Sequence, residues 1–225
     1  MQHLVLIDYP LLAAGLAGLF RHHRSTWEVL AFPTDPRALA PPGALVLIEC
    51  ALPEQHCGLR LARQLQRSRP DLTTLVWTTH PTPLATWAAA EYKLAGCLDK
   101  AMPVLEVVGW LDHAMTTGAA WPGALLAQAR EWEQTVAARL RGLTKNLWLL
   151  WAGLLRGESN PELAAHLRWS RRTIERRLGA LYTALGVQRR SEAVTTAWTW
   201  GLVEVGDAGL NWSSVVRDLF PIPTC

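Results

Sequence analysis

Lysine is scarce: Lys93, Lys100 and Lys145 are the only three in 225 residues, and the rest of the positive charge is arginine. Twenty-two basic residues against 19 acidic give a net charge of +3, too balanced for a histone-like or polybasic protein. The four cysteines (Cys50, Cys57, Cys97, Cys225) have no CxxC spacing and no His partners at metal-ligand spacing. Neither a zinc module nor a disulfide scaffold is indicated, and reduced, mostly buried thiols are expected. No apolar run approaches the ~20 residues of a membrane-spanning helix. Asp8 interrupts the greasy start and no basic segment precedes it, so no secretory signal is expected and the reading is a soluble, cytoplasmic protein. There is no nucleophile with a base and an orienter, no metal cluster and no phosphate-binding glycine loop, so an enzyme is not expected. Internal repeats and low-complexity tracts are also missing.

What is present is enough apolar material, 50% of positions, to bury a core in one or two domains. Five short apolar runs, at His3 to Ile7, Val29 to Phe32, Ala44 to Ile48, Thr74 to Trp77 and Gly96 to Leu98, alternate with helical stretches at Leu11 to Arg24, Leu59 to Ser68, Leu84 to Leu94 and Val104 to Met115. Continuous apolar strands separated by helices predict a parallel sheet covered on both faces. Residues 1–118 therefore read as an α/β, doubly wound, five-stranded domain of the flavodoxin-like kind.

Beyond Thr116 the strand signals stop, and Gly118 with Trp121-Pro-Gly123 marks a boundary. Leu125, Leu126, Ala129, Trp132, Val136 and Leu140 recur at helical spacing, giving an amphipathic linker helix within 119–142 that packs on a domain or pairs with a partner copy. Residues 143–205 read as an all-α domain of short helices, and 206–225 as a C-terminal tail. Charge follows this division: residues 1–118 hold nine basic and ten acidic groups, residues 119–205 twelve and seven. In the helical part, Gly157 and Gly186 end helices, Asn160 is a candidate N-cap before Pro161, and Ser170 is a candidate N-cap for Arg171 to Leu185. The tight segment Leu167 to Ser170 between two short helices predicts a helix-turn-helix.

The second of those helices carries the excess charge. At ~100° per residue, Arg172 and Arg176 share one face with Arg171 and Arg177 flanking it, while Ile174, Leu178 and Leu181 form the opposite, buried face. A helix with an apolar inner stripe and an arginine outer face suits entry into a major groove, with helix N-terminal amides adding phosphate contacts. Arg171, Arg172, Arg176 and Arg177 are the candidate DNA contacts, with Thr173 and Lys145 as candidate phosphate contacts.

The segment Leu143-Thr144, Leu154-Leu155, Gly157 to Ala164, Leu167, Ser170 to Leu178, Leu181, Leu185 to Val187 and Arg190 to Val194 resembles the LuxR/NarL-type DNA-binding domain over its ~60-residue length. The resemblance implies a DNA-binding transcriptional regulator that works on promoter DNA as a homodimer on two half-sites, with RNA polymerase as a further partner. That family carries a lysine after the β-branched residue of the recognition helix; here the position is Glu175, which would repel a phosphate but could accept from a cytosine amino group. Beside that domain, residues 2–117 are similar to the receiver domain of response regulators. Asp8 follows the first strand, Glu49 stands where the family has its phospho-accepting aspartate, Pro53 follows at the family's interval, Thr78 closes the next strand, and Lys100 precedes Met102-Pro103. All fall at C-terminal strand ends, where open α/β sheets place their sites.

Phosphoryl acceptance needs an aspartate at one fixed reach, a divalent cation held by neighbouring acids, and a lysine and hydroxyl to take up charge. Glu49 is one methylene too long, and Ile7 replaces the first acid of the usual pair, which leaves Asp8 and Glu49 to hold magnesium weakly if at all; no other cofactor is expected. Two readings of this receiver pocket stay open: Glu49 standing in for a phospho-aspartate against Thr78 and Lys100 as a fixed switch, or a Glu49–Lys100 ion pair that only scaffolds a dimer. Two other functions also remain: a protein-interaction regulator with little specific DNA binding, and a regulator gated by a small molecule in the pocket. Twelve tryptophans are unusual at this length; Trp77, Trp148 and Trp151 read as core, and Trp110, Trp198 and Trp200 as candidate subunit contacts.

Overall fold

A computed structural model of the chain describes residues 2–31, 40–52, 58–206 and 209–223. The expectations for Phe32, Pro53, Cys57 and Cys225 lie outside these residues. The chain divides into two compact units, residues 1–130 and 131–225, a division that falls inside the segment expected to be a linker helix.

In the first unit, β1 (Gln2–Ile7), α1 (Pro10–His23), β2 (Trp27–Ala31), β3 (Leu45–Glu49), α2 (Gly58–Ser68), β4 (Thr73–Thr78), α3 (Pro83–Glu91), β5 (Gly96–Asp99) and α4 (Val104–Thr117) follow one another. The strands form one sheet in the order β2-β1-β3-β4-β5, all pairs parallel. This is the doubly wound five-stranded sheet that the alternating runs predict. Its strands read as unbroken apolar runs because α1 and α4 cover one face and α2 and α3 the other. With a side-chain period of two, Leu4, Leu6, Leu45, Leu47, Leu75, Trp77 and Leu98 meet Phe20, Val108 and Leu111 in one core. On the sheet's other side, burial pushes the Cys97 thiol up to about 12, which makes it a packing residue and not a nucleophile.

The second unit continues a helix that begins as α5 (Gly123–Trp132), passes through one π-helical turn at Glu133–Ala137 and ends as α6 (Ala138–Arg141). The extra residue of the π-turn re-phases the helix, and Trp132, Val136, Ala137 and Leu140 are all buried. The helical bundle comprises α7 (Lys145–Leu155), α8 (Asn160–Leu167), α9 (Arg171–Leu185) and α10 (Arg190–Thr199). One expectation is corrected: the N-cap of α8 is Ser159, not Asn160. Ser159 Oγ accepts from Glu162 N and Glu162 Oε2 accepts from Ser159 N, a closed capping box. Asn160 is left inside the first turn, and its side chain accepts from Arg190 Nη2 at 2.9 Å.

Residues 203–205, expected to close the all-α domain, and residues 206–225, expected to be a tail, instead contribute β6 (Val203–Gly206) and β7 (Gly209–Trp212), an antiparallel pair, and α11 (Ser214–Leu219). Their function is packing. Trp148 and Trp151 of α7 are completely buried and stack at 5.7 Å. Trp212 stands edge-on to each at 5.1 Å, and Phe220 closes the cluster at 5.9 Å from Trp148. Trp200, read from sequence as a candidate subunit contact, lies half-buried and perpendicular to Trp151 with the ring centres 6.4 Å apart, whereas Trp198 is exposed.

Removing Trp212 from this cluster leaves a large void against α7. Trp212→Ala is expected to lower the unfolding free energy by ~3–5 kcal/mol, read by denaturant titration followed by far-ultraviolet circular dichroism. A wild-type midpoint and slope would mean that the hairpin only drapes over a core complete without it.

Candidate nucleic-acid interface and receiver pocket

The turn that precedes α9 is held by local chemistry. Arg168 ends α8 in the left-handed region (φ 54), and Trp169 N donates to Ala164 O at 3.0 Å. Ser170 then caps α9, its hydroxyl accepting from Thr173 N at 3.2 Å; as expected, this is the N-cap. Ile174, Leu178, Leu181 and Leu185 are buried, so the opposite side of the helix faces solvent. At its far end, Gly186 takes φ 72, and Arg139 of α6 donates to Leu185 O at 3.1 Å. A cation at a helix C-terminus complements the helix dipole.

The predicted contact residues separate into four kinds. Arg171, Arg172 and Arg176 are exposed and make no ion pair with any acid among the described residues. Arg177 is half-buried, its guanidinium 4.0 Å over the Trp169 ring, with Nη1 buried and without a hydrogen-bond partner among the described residues. Thr173 is half-buried with its hydroxyl 2.9 Å from Ser170 Oγ, so it secures the N-terminus of α9. Lys145 is exposed in the first turn of α7. Trp169 is the residue that sequence reasoning missed. An aromatic in a polar turn, eight residues before Arg177, is the only signal that could have found it.

Of the four receiver-pocket residues, three are joined. Asp8 and Glu49, each 4% exposed, both pair with Lys100, the Asp8 contact at 2.6 Å. Each carboxylate gives its other oxygen to a backbone amide: Asp8 Oδ1 accepts from Tyr9 N at 2.7 Å, and Glu49 Oε1 from Ala51 N at 2.8 Å. The Lys100 ammonium also lies 4.7 Å from the Trp77 ring centre. Thr78 is buried at the end of β4, but its hydroxyl accepts from His80 N at 3.4 Å and is not part of the ion cluster. Two further residues hold the pocket in shape. The Tyr9 hydroxyl donates to Ala51 O at 3.0 Å, and a Cβ at Gly58 would stand 1.7 Å from the Glu49 carbonyl oxygen, so only glycine fits there.

This geometry limits the chemistry. No group of three His, Cys, Asp or Glu able to hold a metal ion exists among the described residues. Lys100 holds one oxygen of each of Asp8 and Glu49 and a backbone amide holds the other, so these side chains, as placed, do not fit the ion. No helix among the described residues is long and apolar enough to cross a membrane.

A parallel sheet in the order 2-1-3-4-5 followed by a helix-turn-helix unit is a fold that this chain shares with solved response regulators. The response regulator RcsB of Salmonella typhimurium superimposes with a TM-score of 0.66 at 16% identity, covering 87% of this chain and 98% of that one. RcsB of Salmonella enterica serovar Typhimurium bound to promoter P1flhDC gives 0.60 at 17%, covering 88% and 98%. At such identities the likeness establishes the fold. In sequence, the methanol utilization control regulatory protein MoxX of Paracoccus denitrificans is 27% identical over 112 residues, 48% of this chain; the match spans about half that relative's length (50%). No protein-family profile matches the chain.

Lys100→Met would leave two buried carboxylates without their cation, which is expected to destabilise the protein by ~3–5 kcal/mol. Replacing all three groups together (Asp8→Asn, Glu49→Gln, Lys100→Met) is expected to recover most of that loss. Equal melting of Lys100→Met and wild type would show the cluster to be unimportant for the fold.

Proposed function

We propose that this protein is a cytoplasmic transcriptional regulator that binds promoter DNA through α9, as a homodimer on two half-sites, and works without conventional aspartyl phosphorylation. The observation that carries DNA binding is the set of three exposed arginines, Arg171, Arg172 and Arg176, with no acidic partner among the described residues, on the second helix of a helix-turn-helix. Unpaired guanidinium groups gathered on one helix face repel one another, and a polyanion relieves that repulsion. RcsB, whose fold this chain shares, has been solved bound to promoter DNA, which supports the same use of this unit.

Independence from phosphorylation rests on the pocket. Glu49 replaces an aspartate, and Lys100 already bridges both carboxylates. A phosphoryl donor would have to displace an internal ion pair and would lack the magnesium that lowers the barrier to transfer.

DNA binding is tested by selecting genomic fragments with the purified, untreated full-length protein near physiological salt, with the Arg171→Ala, Arg172→Ala, Arg176→Ala triple variant as control. A common, roughly palindromic site recovered by wild type alone is the expected result; no common site, or one that survives loss of the arginines, overturns the reading. Lys145→Ala is expected to weaken all sequences alike and to reduce the slope of log affinity against log salt by about one.

The second half of the proposal is tested with acetyl phosphate and magnesium. Intact-mass analysis is expected to find no phosphoryl adduct, and affinity for the selected site should stay constant. An adduct on Glu49, or tighter binding after treatment, would refute phosphorylation independence and leave DNA binding untouched.

A further inference from the structure

The outward face of α9 is not uniformly basic. Residues at i, i+3, i+4 and i+7 share one face of a helix, and counted from Arg172 these are Glu175, Arg176 and Gly179. The buried residues Ile174, Leu178, Leu181 and Leu185 lie on the other side. Two members of the outward stripe need explaining. Glu175 is exposed and stands one turn after Arg171 and Arg172, yet it makes no ion pair among the described residues. A carboxylate there weakens general attraction to phosphates, and no other described residue uses it. Gly179 sits in the helix interior in ordinary helical backbone, and a Cβ built on it would meet nothing within 4 Å. The fold therefore does not ask for glycine, which is unfavourable in a helix interior.

We infer that this stripe reads base edges directly, with Glu175 accepting a hydrogen bond from the exocyclic amino group of a cytosine. The inference deepens the DNA-binding reading and rests on it. In the major groove cytosine presents an N4 amino donor where guanine presents acceptors, so a carboxylate selects cytosine and is repelled by guanine, whereas Arg172 and Arg176 select guanine. Gly179, one turn further along the same face, keeps a side chain out of the space between helix backbone and bases, so that the short reach of a glutamate suffices. An acid among arginines thus trades non-specific affinity for selectivity at one base pair.

The test is selection from a random duplex library by the full-length protein, wild type against Glu175→Ala and Glu175→Gln. Both substitutions are on an exposed side chain, and circular dichroism checks that the variants fold. Wild type is expected to require cytosine at one position of each half-site, with about a tenfold preference over other bases. Glu175→Ala should lose the preference at that position alone, and Glu175→Gln should move it towards adenine. If both variants keep the wild-type preference and simply bind every sequence more tightly, the carboxylate only repels phosphates and the inference is wrong. Wild type that binds duplex without selecting any base at that position also overturns it while sparing DNA binding; failure to bind any duplex overturns both.

Discussion

The sheet unit is organised around one ammonium group. The strand order puts β1 and β3 side by side and β4 between β3 and β5, so Lys100, just after β5, must reach over the end of β4 to meet Asp8 and Glu49. At about 4.8 Å per strand, β1 lies about 14 Å from β5. Trp77, beneath Lys100, fills the span with an aromatic face that tolerates a cation. The loops after β1, β3 and β5 are thereby tied together by charge at the edge where open α/β sheets build their sites. Each carboxylate also holds a backbone amide of its own loop, so the ion cluster fixes loop conformation as well as loop position. In low dielectric such a cluster is satisfied only as a whole.

The helical unit solves a different problem, which is how to keep like charges together. Arginines on the outer face of α9 repel one another, and the helix must be held from its ends and from below. Ser170 caps the start, Arg139 donates to the carbonyl of Leu185 at the end, and four leucine and isoleucine side chains anchor the inner face. Arg190 ties α10 to the turn before α8 by donating to Glu158 O and Asn160 Oδ1. Beneath lies the tryptophan cluster, completed by the hairpin and α11. None of these supports uses a charge from the outward stripe, which leaves Arg172, Glu175 and Arg176 free for a ligand.

Much of this was legible in the sequence because apolar periodicity and turn chemistry are local. The five strands, the flanking helices, Ser170, Gly157 and Gly186 all follow from such signals. Asn160 misled because Asn-Pro is itself a strong N-cap signal, and only the reciprocal Ser159 and Glu162 bonds decide between neighbours. The hairpin after 202 was not legible: its strands are four residues each, too short to show alternation, and its Trp212 answers Trp148 and Trp151, more than sixty positions earlier. In the pocket, residue types marked Asp8, Glu49 and Lys100, but which of them meet is a matter of reach. That Thr78 turns to His80 could not be read from its position at a strand end.

Arg177 shows the same limit from the other side. On a helical wheel it flanks the basic face, and by charge alone it is indistinguishable from Arg171. It sits close enough to the buried side, however, for its guanidinium to stack on Trp169 and for one nitrogen to be shut off from solvent. A stacked guanidinium keeps its charge and its in-plane donors while losing its freedom to move. Arg177 is therefore a fixed, half-buried group, whereas the side chains of Arg172 and Arg176 are exposed to solvent. Charge of one sign on one helix thus divides into one stacked, immobilised guanidinium and three solvated ones, and the division is set by an aromatic residue that carries no charge at all.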